Sequence, residues 1–102
     1  MDCTTQIEGT KGIVKLDGRF TFDAGATFKQ STQALLTESK ISELHLDLSG
    51  LTYMESSALG NLLLLREKAE TKGVKIVLLR PTGTVRTTLD AVRFHTIFEI
   101  QG

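Results

Sequence analysis

The sequence predicts an α/β domain, a small mixed β-sheet of about four to five strands packed against about three to four α-helices. Three stretches carry that expectation. Leu44-His45-Leu46-Asp47-Leu48 alternates with period two, Ser56 to about Thr71 has helical periodicity, and Val74 to Leu79 is a mostly apolar run rich in β-branched residues. Strand, helix and strand in that order form a right-handed crossover between parallel strands.

Each element has its own signal. Thr4 to Glu8 and Ile13 to Leu16 flank Gly9-Thr10-Lys11-Gly12 and read as a hairpin. After Asp17-Gly18, a polar and aromatic connection leads to Asp23, an N-cap for a helix that carries Ala24, Phe28, Leu35 and Leu36 and ends near Ser39. The three leucines at 44, 46 and 48 share one strand face, His45 falls on the other, and Ser49-Gly50 closes the strand. The helix from Ser56 stops at Gly73, with Lys68 and Lys72 at the negative end of its dipole. Val74 to Leu79 is expected to be central and covered on both faces. Pro81-Thr82-Gly83-Thr84 offers a turn and a capping hydroxyl ahead of Val85, Leu89 and Val92, spaced i, i+4, i+7, and Thr96 to Ile100 supplies an edge strand.

A chain of 102 residues is one domain's worth, spanning 1–102. With 40% hydrophobic and 24% charged residues and one proline, it can bury a core without disulfides or metals. Twelve basic residues balance twelve acidic ones, which removes the electrostatic reason to expect nucleic acid or an anionic membrane and favours protein partners. No fully apolar run exceeds four residues, far short of the roughly 20 a membrane span needs. The lone Cys3 and the lack of a basic, then apolar, leader point to a cytoplasmic protein.

Enzyme signatures are scarce. His45, His95 and Cys3 lack the clustered spacing of a zinc site, and no G-x-S-x-G elbow surrounds any serine. Pro81-Thr82-Gly83-Thr84 has too few glycines and no lysine for a phosphate loop. No cofactor is expected. The informative segment runs from Asp47 to Gly60 and sets two hydroxyls, Ser56 and Ser57, at the start of a helix. A serine there can simply cap the helix, worth about 1 kcal/mol.

At 100° per residue, Ala58, Leu59, Leu62, Leu63, Leu65 and Ala69 share an arc that can cover the sheet, and Ser57, Gly60, Asn61, Leu64, Glu67 and Lys68 share the other. Leu64 is thus either a scattered surface leucine or an apolar anchor for a partner, with Gly60 leaving room for close approach. Arg66 lands on the core arc, so its stem should lie at the edge with its charge in water.

Over nearly its whole length the chain resembles the STAS domain family, specifically the single-domain bacterial anti-sigma factor antagonists. The hairpin, Leu16-Asp17-Gly18, Leu46-Asp47-Leu48-Ser49 and above all Tyr53-Met54-Glu55-Ser56-Ser57-Ala58-Leu59-Gly60 carry the resemblance. It implies a non-enzymatic phospho-switch. Ser56, with Ser57 as the rival acceptor, is phosphorylated by an anti-sigma factor that is also a Ser/Thr kinase, and a Ser/Thr phosphatase reverses the modification. The unmodified form binds the partner and releases a sigma factor. In a related branch the partner is a response regulator carrying kinase and phosphatase domains, with biofilm formation or motility as output. The resemblance also implies that Asp23, Asp47, Glu55 and Ser57 surround the acceptor, and that Thr21, Ala58, Gly60, Asn61 and Leu64 meet the partner. Glu55 stands where Asp is usual, Ala58 where Gly is usual, and Thr21 where many members are acidic. Two other classes stay open: a STAS subunit of a transport complex, and a hydrolytic or acyl-transfer enzyme using Ser56 as nucleophile.

Overall fold

The hairpin opens the chain in the computed structural model, which describes residues 1–38 and 40–102. Strand β1 (Asp2–Glu8) runs antiparallel to β2 (Lys11–Phe20), and Gly9 makes the two-residue turn with φ +63°, a left-handed conformation that suits glycine. A 3₁₀ turn (Phe22–Ala24) leads into α1 (Gly25–Leu36). Strand β3 (Glu43–Met54), α2 (Ser56–Thr71), β4 (Lys75–Leu79) and α3 (Gly83–Ala91) follow. A second 3₁₀ turn (Phe94–Thr96) precedes β5 (Glu99–Gln101). The sheet order is β1-β2-β3-β4-β5, with β2 to β5 mutually parallel. Right-handed crossovers between sequential parallel neighbours place all three helices on one face.

That face holds the core. Val14 and Leu16 from β2, Leu44, Leu46 and Leu48 from β3, and Ile76 and Leu78 from β4 meet Phe28, Leu35 and Leu36 of α1, Leu62 and Leu65 of α2, and Val85 and Leu89 of α3. Each such aliphatic or aromatic side chain contributes about 1.5–3 kcal/mol by leaving water. The rings of Phe20 and Phe28 pack 4.9 Å apart.

Several expectations are corrected. Strand β2 does not stop at Leu16, and β3 does not close at Ser49-Gly50: the pair runs on together to Phe20 and Met54 through two register shifts. Gly50 is the reason. A Cβ there would lie 1.9 Å from Asp17 Oδ1 and 2.8 Å from the Leu16 carbonyl, so glycine admits the Asp17 side chain instead of ending the strand. Asp23 caps no helix; it lies inside the first 3₁₀ turn, and Ala24 holds the N-cap position of α1 without a side-chain bond. Helix α1 ends at Leu36, and Ser39 lies outside the described residues.

Strand β4 is interior but not central, and helices cover only one of its faces; Val77 on the other is buried among neighbouring strands, and Lys75 is exposed. Val92 falls beyond α3 and is 44% exposed; Phe94 and Phe98 fill the core in its place. Leu63, assigned to the core arc, is 41% exposed, whereas Leu62 and Leu65 are buried. Thr82 occupies the N-cap of α3 with no side-chain cap, while the Thr84 hydroxyl donates to the Thr52 carbonyl at 3.0 Å and ties α3 to β3. The terminal strand is an edge strand as expected, but it starts at Glu99 because Phe94–Thr96 is helical.

Candidate functional site

Because β2 and β3 are parallel neighbours of matched end, the two elements they feed begin side by side at the carboxyl edge of the sheet. Ligands of open α/β sheets gather at this edge. Two bonds join the elements. The Glu55 backbone N–H donates to the Phe20 carbonyl at 3.0 Å, and the Phe22 backbone N–H donates to Glu55 Oε2 at 2.6 Å. Glu55, not a serine, is the N-cap residue of α2, and its carboxylate serves the neighbouring turn instead of its own helix.

The two serines differ. Ser56 is the first residue of α2 and is exposed. Ser57 is half-buried; its Oγ is shut off from solvent and makes no hydrogen bond among the described residues.

Between the first 3₁₀ turn, α1 and α2 lies an open groove of about 720 Å³, lined by Phe22, Asp23, Gly25, Ser57, Asn61 and Leu64, together with Ala26, Lys29 and Gly60. Helices α1 and α2 approach each other closely within it, where a Cβ on Gly25 would lie 3.1 Å from Asn61 Nδ2. Asn61 Nδ2 donates to the Ser57 carbonyl at 3.2 Å, which orients the amide. Phe22 is 77% exposed and Leu64 46% exposed. Gly60 is exposed, and nothing lies within 4 Å of where its Cβ would be.

The structure thus brings together Asp23, Ser57, Gly60, Asn61 and Leu64 on one groove, with Glu55 and Ser56 at its head. It separates three others. Ala58 is fully buried against the core, where no partner reaches it. Thr21 is the extended residue whose carbonyl accepts the Ala24 N–H at 3.0 Å, and it does not line the groove. Asp47 is seven residues upstream of the end of β3, roughly 20 Å at about 3.3 Å per residue. It accepts from the Ser49 hydroxyl at 2.7 Å, the Ser49 N–H at 3.0 Å and Arg80 at 2.6 Å. Burial opposes its ionisation, but the Ser49 bonds and then the Arg80 guanidinium prevail and hold its carboxyl below the ordinary value. Asp47 is a structural ion, removed from Ser56.

Neither histidine joins the serines: His45 bonds Glu43 at 3.0 Å on β3, and His95 sits in the second 3₁₀ turn. Arg66 keeps its charge at the edge, bonding the Ile97 carbonyl at 3.1 Å and Glu70 at 3.2 Å. No helix among the described residues is long and apolar enough to cross a membrane. Phe22 and the reach of Glu55 escaped the sequence reading. The available signal was an aromatic residue beside Asp23 that fits neither the strand period before it nor the helix period after it.

The STAS domain family profile matches residues 4–102. The chain is 32% identical over 93 residues to the STAS-domain containing protein PA14_20770 of Pseudomonas aeruginosa, covering 91% of this chain and 90% of that protein. Its fold is similar to a putative anti-sigma factor antagonist, tm1081, from Thermotoga maritima, with TM-score 0.87, 18% identity, and coverage of 98% and 86%. It is also similar to the anti-sigma factor antagonist SpoIIAA in its unphosphorylated form, with TM-score 0.75, 16% identity, and coverage of 99% and 87%. The phosphorylated form of SpoIIAA, described as a Bacillus cell fate determinant, matches with TM-score 0.74, 15% identity, and coverage of 97% and 90%.

Proposed function

The chain belongs to the STAS domain family, and we propose that it is a phosphorylation-controlled protein-interaction switch, an anti-sigma factor antagonist whose acceptor is Ser56. The observation that carries this reading is the contrast between the two hydroxyls: Ser56 is exposed on the first turn of α2, and Ser57 Oγ is enclosed. A kinase reaches the first without disturbing the helix.

In the forward step Ser56 Oγ takes the terminal phosphoryl group of ATP, releasing ADP and the hydroxyl proton; a phosphatase returns the serine by adding water and releasing phosphate. The ester carries a charge of about −1.5 to −2 at neutral pH. A helix N-terminus favours such a charge by roughly 0.3–1 kcal/mol, so the fold survives modification. The interface does not, because a dianion beside Glu55 resists desolvation and repels acidic partner groups. A penalty of about 3–4 kcal/mol shifts affinity by two to three decades. The partner is an anti-sigma factor with Ser/Thr kinase activity or a response regulator with kinase and phosphatase domains; in the second case the output is biofilm or motility control without a sigma factor. The role is non-enzymatic and cytoplasmic.

The test is to incubate wild type, Ser56→Ala and Ser57→Ala with the kinase and ATP, follow intact mass, and measure partner affinity of wild type, Ser56→Ala and Ser56→Asp. One phosphoryl group is expected on wild type and Ser57→Ala and none on Ser56→Ala, with binding kept by Ser56→Ala and lost by Ser56→Asp. Equal affinity of all three refutes the switch. Co-purification with a membrane complex whatever residue stands at 56 favours the transport-subunit reading instead.

A further inference from the structure

The groove has two poles. Asp23 and Glu55 stand near its head, by Ser56. At the other end it passes into a cleft between α1 and α2 that shares Lys29, Asn61 and Leu64 with it and adds Gln33 and Lys68. Lys29 and Lys68 are both exposed, and among the described residues neither pairs with a carboxylate. Two cations therefore stand at the far end of a path that runs past two large exposed apolar side chains, Phe22 toward the head and Leu64 where groove and cleft meet. Phe22 is the larger and the more exposed, yet its backbone is not loose, because the Glu55 carboxylate holds its N–H at 2.6 Å. A bulky aromatic ring presented to water on a clamped backbone is the usual form of an interface anchor.

We infer that this groove docks an acidic amphipathic helix of the partner protein, one apolar side chain seated between Phe22 and Leu64 and its carboxylates on Lys29 and Lys68. The inference rests on the switch reading for the identity of the face, and it names the chemistry of the occupant. Charge complementarity selects that chemistry: unpaired cations at the far pole receive carboxylates, and the near pole is where an added phosphate repels the same acidic segment. Gly60 lies on the approach with open space above it, which lets a helix backbone come close.

The test is an NMR titration of the isotopically labelled chain with two short helical peptides, one of leucine and glutamate and its twin of leucine and lysine. The glutamate peptide is expected to shift the amides of Phe22, Lys29, Gly60, Asn61 and Lys68. Phe22→Ala should weaken it at least about tenfold, and Lys29→Glu with Lys68→Glu should weaken it similarly and admit the lysine peptide. All three side chains are exposed, so these variants keep the sheet's spectrum. Equal binding of the two peptides, shifts centred elsewhere, or no binding up to about 5 mM (weaker than about −3 kcal/mol) overturns the inference. Failure stays separable from that of the switch. A chain that takes phosphate on Ser56 but, while unmodified, ignores the glutamate peptide loses only the docking model; one that binds the peptide but never takes phosphate loses only the switch.

Discussion

Gly60→Ala sets fold against function at a single atom. Gly60 lies inside the sixteen-residue α2, four residues past its start, where glycine costs about 0.8–1.0 kcal/mol relative to alanine. A methyl group added there meets nothing within 4 Å, so no packing or clash offsets that gain. The variant should be about 0.8–1 kcal/mol more stable, which in a domain this small raises Tm by about 3–8 °C. The methyl group also stands on the approach to Leu64 and Asn61, so partner affinity should fall by roughly tenfold, the effect of about 1.4 kcal/mol of steric misfit. Thermal and urea unfolding followed by circular dichroism read the first quantity, and titration against the partner proposed above reads the second. A variant no more stable than wild type refutes the propensity argument. A stabilised variant that binds its partner as wild type does refutes the close-approach reading of Gly60.

Ser57→Ala should also stabilise, by about 1 kcal/mol, because an enclosed hydroxyl without a partner costs about 1–3 kcal/mol; urea midpoints check it, and a loss of stability would show that the hydroxyl is satisfied. Glu55→Ala should cost about 1–2 kcal/mol by freeing the Phe22 N–H, and Glu55→Gln, which keeps an acceptor, less than half of that. Amide exchange at Phe22 should rise in step; equal damage from both variants would mean that charge, not the bond, matters. For pH, the folded pKa of Asp47 lies below its unfolded value of 3.8, so its stabilisation is present above that value and lost as pH falls through the lower, folded one. Its side chain is 10% exposed but Arg80's is 57%, so solvent screening limits the contribution to roughly 1 kcal/mol. Asp47→Asn should remove that amount at neutral pH and flatten the acid limb of the stability curve below about pH 4; an unchanged acid limb refutes it.

Helix α2 and the edge position of β5 were legible because hydrophobic period reports burial directly. Features set by contact between distant residues were not. Ser49-Gly50 has the composition of a turn, and only the side chain of Asp17, on another strand, explains why a glycine is needed inside β3. Leu62, Leu63, Leu64 and Leu65 give no local sign of which two face the sheet; a 100° step places Leu63 near the arc's margin, and the neighbouring helices decide. Asp47 sits in a motif that invites grouping with Ser56, but alternation along the strand sends it to the face away from the helices, to Arg80. Ala58 is small because α2 packs tightly on the sheet there, which is a core requirement and not a recognition one.

On the proposed switch reading, the edge where β2 and β3 end would couple modification to recognition through geometry alone. Two parallel strands of matched end release their next elements together, so the N-terminus of α2 and the turn bearing Phe22 lie one carboxylate apart. A phosphoryl group on Ser56 gains from the helix dipole and costs the fold almost nothing against a typical stability of about 5–15 kcal/mol. The same charge is felt in full by whatever crosses Glu55 to reach Phe22, where water has been displaced and Coulomb terms grow as the local dielectric falls. A switch of two or three decades then needs no second conformation, only an acceptor placed where the fold tolerates charge and the partner does not. Phosphorylation of Ser56 should accordingly leave Tm within a few degrees of wild type; a large drop measured by calorimetry on the phosphorylated chain would mean that the switch works by loosening α2 instead.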